Sequence, residues 1–90
     1  MCTGINVSTD IAGAGKGAQG WFAVSRVNVG FDHPTFVRRE HAITLDFVDA
    51  AAGPGARVAV ELTPESARQL MATIQAALDE GQRVGAEDAA

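Results

Sequence analysis

The chain has 90 residues, of which 47% are hydrophobic and 20% are charged, and its formal net charge is −4. This length supports one hydrophobic core, and the composition is typical of a globular protein rather than a disordered one. The acidic balance argues against a nucleic acid or an anionic membrane as partner, because clustered Lys and Arg bind those partners. A fold this short leaves much of its surface in water, so we expect a homodimer.

The sequence contains one cysteine, Cys2, which excludes an intramolecular disulfide. Residues 1–20 lack a charged start followed by an apolar run, and the sequence has no run of about 18 apolar residues. We therefore expect a cytoplasmic protein with no membrane partner.

Two strands are predicted in the first third of the chain. Residues 3–11 alternate between apolar and polar side chains, and residues 21–31 are rich in aromatic and β-branched ones. The glycine-rich residues 13–20 between them are predicted to form a flexible hairpin loop, and the alternative is an anion site formed by the backbone around Lys16. Residues 15–20 fit G-x-G-x-x-G, but a strand follows them instead of a helix, so we expect no nucleotide site.

Two more strands are predicted at residues 41–48 and 57–62, where side chains alternate with period two. The turn residues 53–55 between them favour an antiparallel hairpin. In this pattern His41 shares a face with Ile43, Leu45 and Phe47. The opposite face mixes apolar and polar residues, which suits a partner subunit or a ligand. We expect the homodimer to form through this face or through edge strands, and the alternative is a face in contact with solvent. The mixed face contains Asn6, Phe22, Val24, Arg26, Asn28, Ala42, Thr44, Asp46, Val48, Ala59 and Glu61.

An amphipathic helix is predicted near the C-terminus, because apolar residues recur there at spacings of three and four. This apolar stripe consists of Ala67, Leu70, Met71, Ile74, Ala77 and Leu78. Thr63 is a suitable N-cap, Pro64 suits the first helical position, and Gly81 suits the end. Residues 82–90 carry too little apolar surface to order and are predicted to form a frayed tail.

These elements predict an α+β fold of one domain, residues 1–81. We expect a four-stranded antiparallel meander in chain order, with the helix packed on one face of the sheet.

The loop from Asp32 to His41 carries both histidines of the chain, each beside a carboxylate, and paired strands would bring its ends together. His33 and His41 are candidates for a general acid or base, or for ligands of a divalent metal. The structural alternatives are a hydrogen-bonded histidine at the edge of the core for His41 and a turn residue before Pro34 for His33.

The remaining polar residues of this loop are candidate ligand-binding residues. They are Asp32, Arg38, Arg39 and Glu40. An arginine pair can hold a carboxylate or a phosphate, although solvated loop charges explain the same residues.

Cys2 is a candidate nucleophile. If Met1 is removed, the terminal amine could act as base for the thiol of Cys2. The alternative is a small residue at a mobile terminus.

Several short segments together resemble a known family of short, uncharacterised bacterial proteins, mainly from actinobacteria, that begin Met-Cys-Thr. The segments are Met1-Cys2-Thr3, Gly15-Lys16-Gly17, Gly20-Trp21-Phe22, Asp32-His33-Pro34, Glu40-His41 and Val60–Arg68. The similarity spans residues 1–80 and implies a bacterial cytosolic protein. It implies no activity and no functional residue.

The sequence therefore favours a homo-oligomeric protein that binds a metal ion or a small polar metabolite near the Asp32 to His41 loop. The first alternative is a small cofactor-independent enzyme, an isomerase, cyclase or hydrolase, that uses His33 or His41 as acid or base and Cys2 as nucleophile. The second is a structural interaction subunit that needs none of these side chains.

Overall fold

Four strands form one antiparallel sheet in the computed structural model, which describes residues 2–85. The strands lie side by side in chain order, and one helix follows the last of them. This confirms the predicted α+β meander. The elements are β1 (Ile5–Gly17), β2 (Gly20–Asp32), β3 (Ala42–Val48), β4 (Arg57–Leu62) and α1 (Pro64–Arg83).

The register of the strands separates an apolar face from a polar face, because residues directly opposite each other in a sheet share a face. On the apolar face Val29 lies opposite both Val7 and Leu45. The rest of the apolar face consists of Ile5, Thr9, Val27, Phe31, Ile43, Phe47, Val58, Val60 and Leu62. The polar face consists of Asn6, Ser8, Asp10, Arg26, Asn28, Gly30, Asp32, Ala42, Thr44, Asp46, Val48, Arg57, Ala59 and Glu61.

The predicted hairpin between β1 and β2 is present, but most of the glycine-rich segment is strand, so the predicted flexible loop over residues 13–20 is wrong. β1 continues to Gly17, and only residues 18 and 19 form the turn into β2. A Cβ at Gly17 would lie 3.3 Å from the Phe22 ring and 3.3 Å from the carbonyl oxygen of Arg57. Glycine therefore serves close strand packing at this position.

The paired ends of β1 and β2 extend beyond the rest of the sheet as a two-stranded arm. β3 pairs with β2 only from Arg26 onward, and an irregularity between Asp10 and Gly13 bends β1 at the base of the arm. The approach of Gly17 to Arg57 brings the end of the arm to the start of β4. The sheet is therefore strongly coiled at this end.

The start of α1 is as predicted, but its end is not. The side chain of Thr63 accepts a hydrogen bond from the backbone N–H of Ser66, and Pro64 opens the helix. The helix continues through Gly81, and the glycine with a left-handed backbone that follows the helix is Gly85, at φ +70°. The predicted tail therefore begins inside the helix, and its residues 86–90 lie outside the described residues.

The helix follows the sheet as predicted, but it covers little of the sheet face. α1 lies nearest to β3 and β4 and contributes no buried residue. In the described part of the chain, Val24 and Ala42 are the buried hydrophobic residues. The radius of gyration is 15.0 Å, whereas a compact domain of this length has a radius of about 12 Å. No helix among residues 2–85 is long and apolar enough to cross a membrane.

Candidate functional site

The loop of residues 33–41 covers part of the polar face. Its ends meet because Asp32 pairs with Ala42 in the register of β2 and β3. The central loop residues 35–37 line one groove together with residues of the polar face, and Ala42 is fully buried. The sequence placed Ala42 on a face open to a partner, whereas the chain's own loop occupies that part of the face.

The carboxylate of Glu61 holds this loop in place. It accepts hydrogen bonds from the backbone N–H groups of Thr35 at 2.5 Å, Phe36 at 2.8 Å and Val37 at 3.0 Å. These bonds, that from Thr35 first, lower the pKa of Glu61, so the carboxylate stays ionised. Sequence reasoning placed Glu61 on the mixed face and gave it no role, because its partners are backbone groups that have no sequence signature.

A second carboxylate fixes the start of the loop. Asp32 accepts a hydrogen bond of 2.8 Å from the backbone N–H of His33, which lowers the pKa of Asp32, and the backbone of Thr3 and Gly4 acts in the same direction. The hydroxyl of Thr3 also donates to the carbonyl of Phe31. Cys2, which precedes Thr3, therefore lies at the same end of the sheet as the loop, and it is exposed.

A groove of about 880 Å³ lies between the loop and the polar face. Gly30 lines the groove, and a Cβ at this position would lie 2.7 Å from the hydroxyl oxygen of Thr44. Beside it, the Nε of Arg57 lies 2.8 Å from a carboxylate oxygen of Asp46. The side chains around the floor are Asn6, Asn28, Asp32, Thr44, Asp46, Arg57 and Glu61. This size is within the range of small-molecule sites.

The two histidines lie together, but they do not line the groove. The rings of His33 and His41 stack with centroids 5.2 Å apart, and the ring of His41 stacks on that of Phe31, also at 5.2 Å. Since Phe31 belongs to the apolar face, the histidine stack extends that face beyond the sheet. Among residues 2–85, no three His, Cys, Asp or Glu side chains are grouped so that they could hold a metal ion.

The other predicted loop residues are dispersed. Arg39 forms an ion pair with Glu65 in the first turn of α1, so it ties the loop to the helix. Arg38 and Glu40 are exposed. Of the predicted ligand-binding residues, Asp32 is the one that lines the groove. The sequence carried a weak signal for the groove itself, which is the alternation of Asn28, Thr44 and Asp46 on the mixed face.

These features define a small α+β protein with a ligand-sized groove on the polar face of an open antiparallel sheet. A family model matches residues 1–88, and the chain belongs to that family, DUF6295, a family of unknown function. This confirms the resemblance to an uncharacterised family. No curated protein and no solved structure matches the chain.

Proposed function

We propose that this protein is a homodimeric bacterial cytoplasmic binding protein that holds a small polar molecule in the groove beneath the loop of residues 33–41. The observation that carries the proposal is that Glu61 holds the loop against the sheet. Its carboxylate accepts hydrogen bonds from three consecutive backbone N–H groups of the loop. Because the loop is fixed in this way, the groove is already formed before a ligand binds. This reduces the conformational entropy that is lost on binding.

The charges in the groove limit the class of ligand. Three carboxylates, those of Asp32, Asp46 and Glu61, face one cation, Arg57, which is already paired with Asp46. Such a balance disfavours an anionic ligand. The amides of Asn6 and Asn28 supply hydrogen-bond donors and acceptors. We therefore expect a neutral or positively charged molecule that carries several hydroxyl or amine groups.

The metal ion among the expected ligands has less support. His33 and His41 supply two ligands at the histidine stack, whereas zinc sites in proteins use three or four. Of the two expected ligands, the small polar molecule is therefore the one that we propose.

Nuclear magnetic resonance tests the groove with defined probes. The protein labelled with nitrogen-15 is titrated with polyols, monosaccharides and aliphatic diamines, and with dicarboxylates as the anionic counterparts. We expect shift changes at residues 35–37 and at Asn28 with a neutral or cationic probe. Thr44→Val keeps the branched shape of the strand residue but removes its hydroxyl from the groove, and it should weaken binding by about fivefold or more.

The matched control is Thr73→Val, which removes a hydroxyl that bonds the helix backbone at Gln69, outside the groove. Binding should be unchanged in this variant. The proposed site is rejected if no probe shifts the groove resonances at millimolar concentration, or if the dicarboxylates bind best.

The histidine stack supports a second candidate function, acid–base chemistry with Cys2 as nucleophile. Two imidazoles 5.2 Å apart at the end of the sheet that carries Cys2 are the observation in its favour. In this case iodoacetamide should label Cys2 far faster than a small free thiol, and His33→Asn should slow the reaction. Labelling at the rate of an ordinary thiol in both proteins would leave no support for this candidate. The structural interaction subunit, our third alternative, predicts neither ligand binding nor rapid labelling.

A further inference from the structure

The apolar stripe of α1 is largely exposed. Its central residues Met71 and Ile74 are 66% and 52% exposed, and Leu70 and Leu78 are also exposed. The stripe contains no charged residue. On an amphipathic helix such a stripe normally packs against another layer of the protein. In this chain most of the stripe therefore has no layer of protein packed against it, although its apolar pattern is typical of a buried helix face.

The apolar face of the sheet is exposed as well. Ile5 and Val7 on β1 are 51% and 64% exposed, and Val60 on β4 is partly exposed. These residues share the apolar face with Val29 and Leu45, neither of which is fully buried. The chain therefore has an apolar helix stripe and an apolar sheet face, which normally pack against each other. In a single copy both of these surfaces remain partly exposed to solvent.

The exposed area matches what a stable dimer buries. The accessible surface is 6667 Å², whereas a compact monomer of 9.3 kDa exposes about 5000 Å². The excess is about 1700 Å², and obligate homodimers bury about 1000–2500 Å² on each subunit. A second copy that covered this excess would leave each subunit with the surface expected of one compact chain of this mass.

We propose that two copies of this chain associate through the stripe of α1 and the apolar face of the sheet. This inference rests on the homodimer in the proposed function and locates its interface. A second copy fits this surface because it supplies both a helix stripe and a sheet face, so each element gains an apolar partner. The interface carries little charge, which suits two chains that each have a net charge of −4. The groove, on the polar face, stays open.

Light scattering after size exclusion tests the association. The wild-type protein should have twice the 9.3 kDa mass of one chain. The double variant Met71→Lys with Ile74→Lys should weaken dimerisation by about a hundredfold or more, because it would bury two lysines in the interface. The matched control is Gln69→Lys with Ala76→Lys, which adds the same charge to the opposite side of α1 and should remain a dimer.

A second measurement locates the interface even if the stripe variant fails to fold. A nitroxide is attached to Gln75→Cys in a Cys2→Ser background, and this protein is mixed with unmodified protein labelled with nitrogen-15. The nitroxide of one copy should broaden the amide signals of Ile5, Val7 and residues 70–78 of the other copy. Signals at the groove should be less affected.

The possible failures are distinguishable. A wild-type mass of 9.3 kDa at all concentrations up to millimolar would overturn both this interface and the homodimer of the proposed function. A dimer whose nitroxide broadening lies elsewhere, or one that persists in a folded stripe variant, would overturn the interface alone. Ligand binding in the groove is measured separately with Thr44→Val, so its result does not depend on either outcome.

Discussion

At the scale of single residues, two carboxylates position the loop of residues 33–41. Glu61 binds three consecutive backbone N–H groups, and Asp32 binds the N–H of His33 at the start of the loop. Hydrogen bonds to an ionised acceptor are stronger than those between neutral groups. These two side chains therefore replace the regular strand pairing that the loop lacks.

Glu61→Gln should loosen the loop while the sheet remains folded. The glutamine has one acceptor oxygen in place of two, and its NH₂ group faces N–H donors. We expect the amide protons of Thr35, Phe36 and Val37 to exchange with solvent about tenfold faster or more. Hydrogen exchange followed by nuclear magnetic resonance measures this.

Asp10→Asn is the control for Glu61→Gln. It removes the same charge from the edge of the sheet, where Asp10 pairs with Arg26. Exchange at residues 35–37 should not change in this variant. Equal exchange rates in the wild type and Glu61→Gln would show that the carboxylate does not hold the loop.

The same carboxylates make stability depend on pH. Their pKa values are lowered in the folded protein from ordinary values of 3.8 for Asp32 and 4.5 for Glu61. Their contribution is therefore complete above these ordinary values and is lost as the pH falls through the lowered pKa values. The difference in Tm between the wild type and Glu61→Gln should be largest above about pH 5 and should shrink as the pH falls through the lowered pKa of Glu61. A difference that grows as the pH falls would contradict this assignment.

At the scale of secondary structure elements, β1 depends on glycine for packing rather than for flexibility. Gly17 allows the Phe22 ring and the Arg57 carbonyl oxygen to approach, and both would lie 3.3 Å from a Cβ. At Gly13, in the same strand, no atom beyond the adjacent residues lies within 4 Å of the position that a Cβ would occupy. The two glycines therefore have different roles despite their similar setting in the sequence.

Gly17→Ala should destabilise the protein, because the added methyl group meets backbone that cannot move easily. Overpacking of this kind costs about 1–3 kcal/mol, which corresponds to a fall in Tm of about 4 °C or more for a chain of this size. Gly13→Ala, the matched control, should leave Tm unchanged or raise it slightly. Differential scanning calorimetry measures both, and equal effects of the two substitutions would refute the packing role of Gly17.

At the scale of the whole molecule, one copy buries little apolar surface. The buried hydrophobic residues of the described chain are Val24 and Ala42, and α1 buries none. The proposed partner subunit would cover exposed apolar residues and so add stability to this small domain.

The thermal stability should therefore depend on protein concentration. Binding of a second copy to the folded state alone raises Tm as the concentration increases, so about a hundredfold more protein should raise Tm by several degrees. Calorimetry over this range tests the prediction. The variant Met71→Lys with Ile74→Lys should show no such dependence, and a constant wild-type Tm would argue against the dimer.

Local patterns in the sequence were sufficient to predict the elements and their order. β4 was predicted with its observed bounds, because residues 57–62 alternate regularly, and the helix start followed from Thr63 and Pro64. The helix end was misplaced because Gly81 resembles a terminator, while the helix tolerates it and ends before Gly85. The segment after Gly13 was misread because composition does not show that Phe22 packs against Gly15 and Gly17.

The sequence by itself determined the α+β class, the meander order and the alternation that separates an apolar face from a polar one, because these follow from interactions between near neighbours. Only the tertiary structure decided that Glu61 holds residues 35–37, that His33 and His41 stack away from the groove, and that the stripe of α1 remains exposed. These features involve contacts between residues that are distant in the chain, or they depend on how closely the helix packs against the sheet. Their geometry is set by the coiling of the sheet and the path of the loop, which no local pattern encodes.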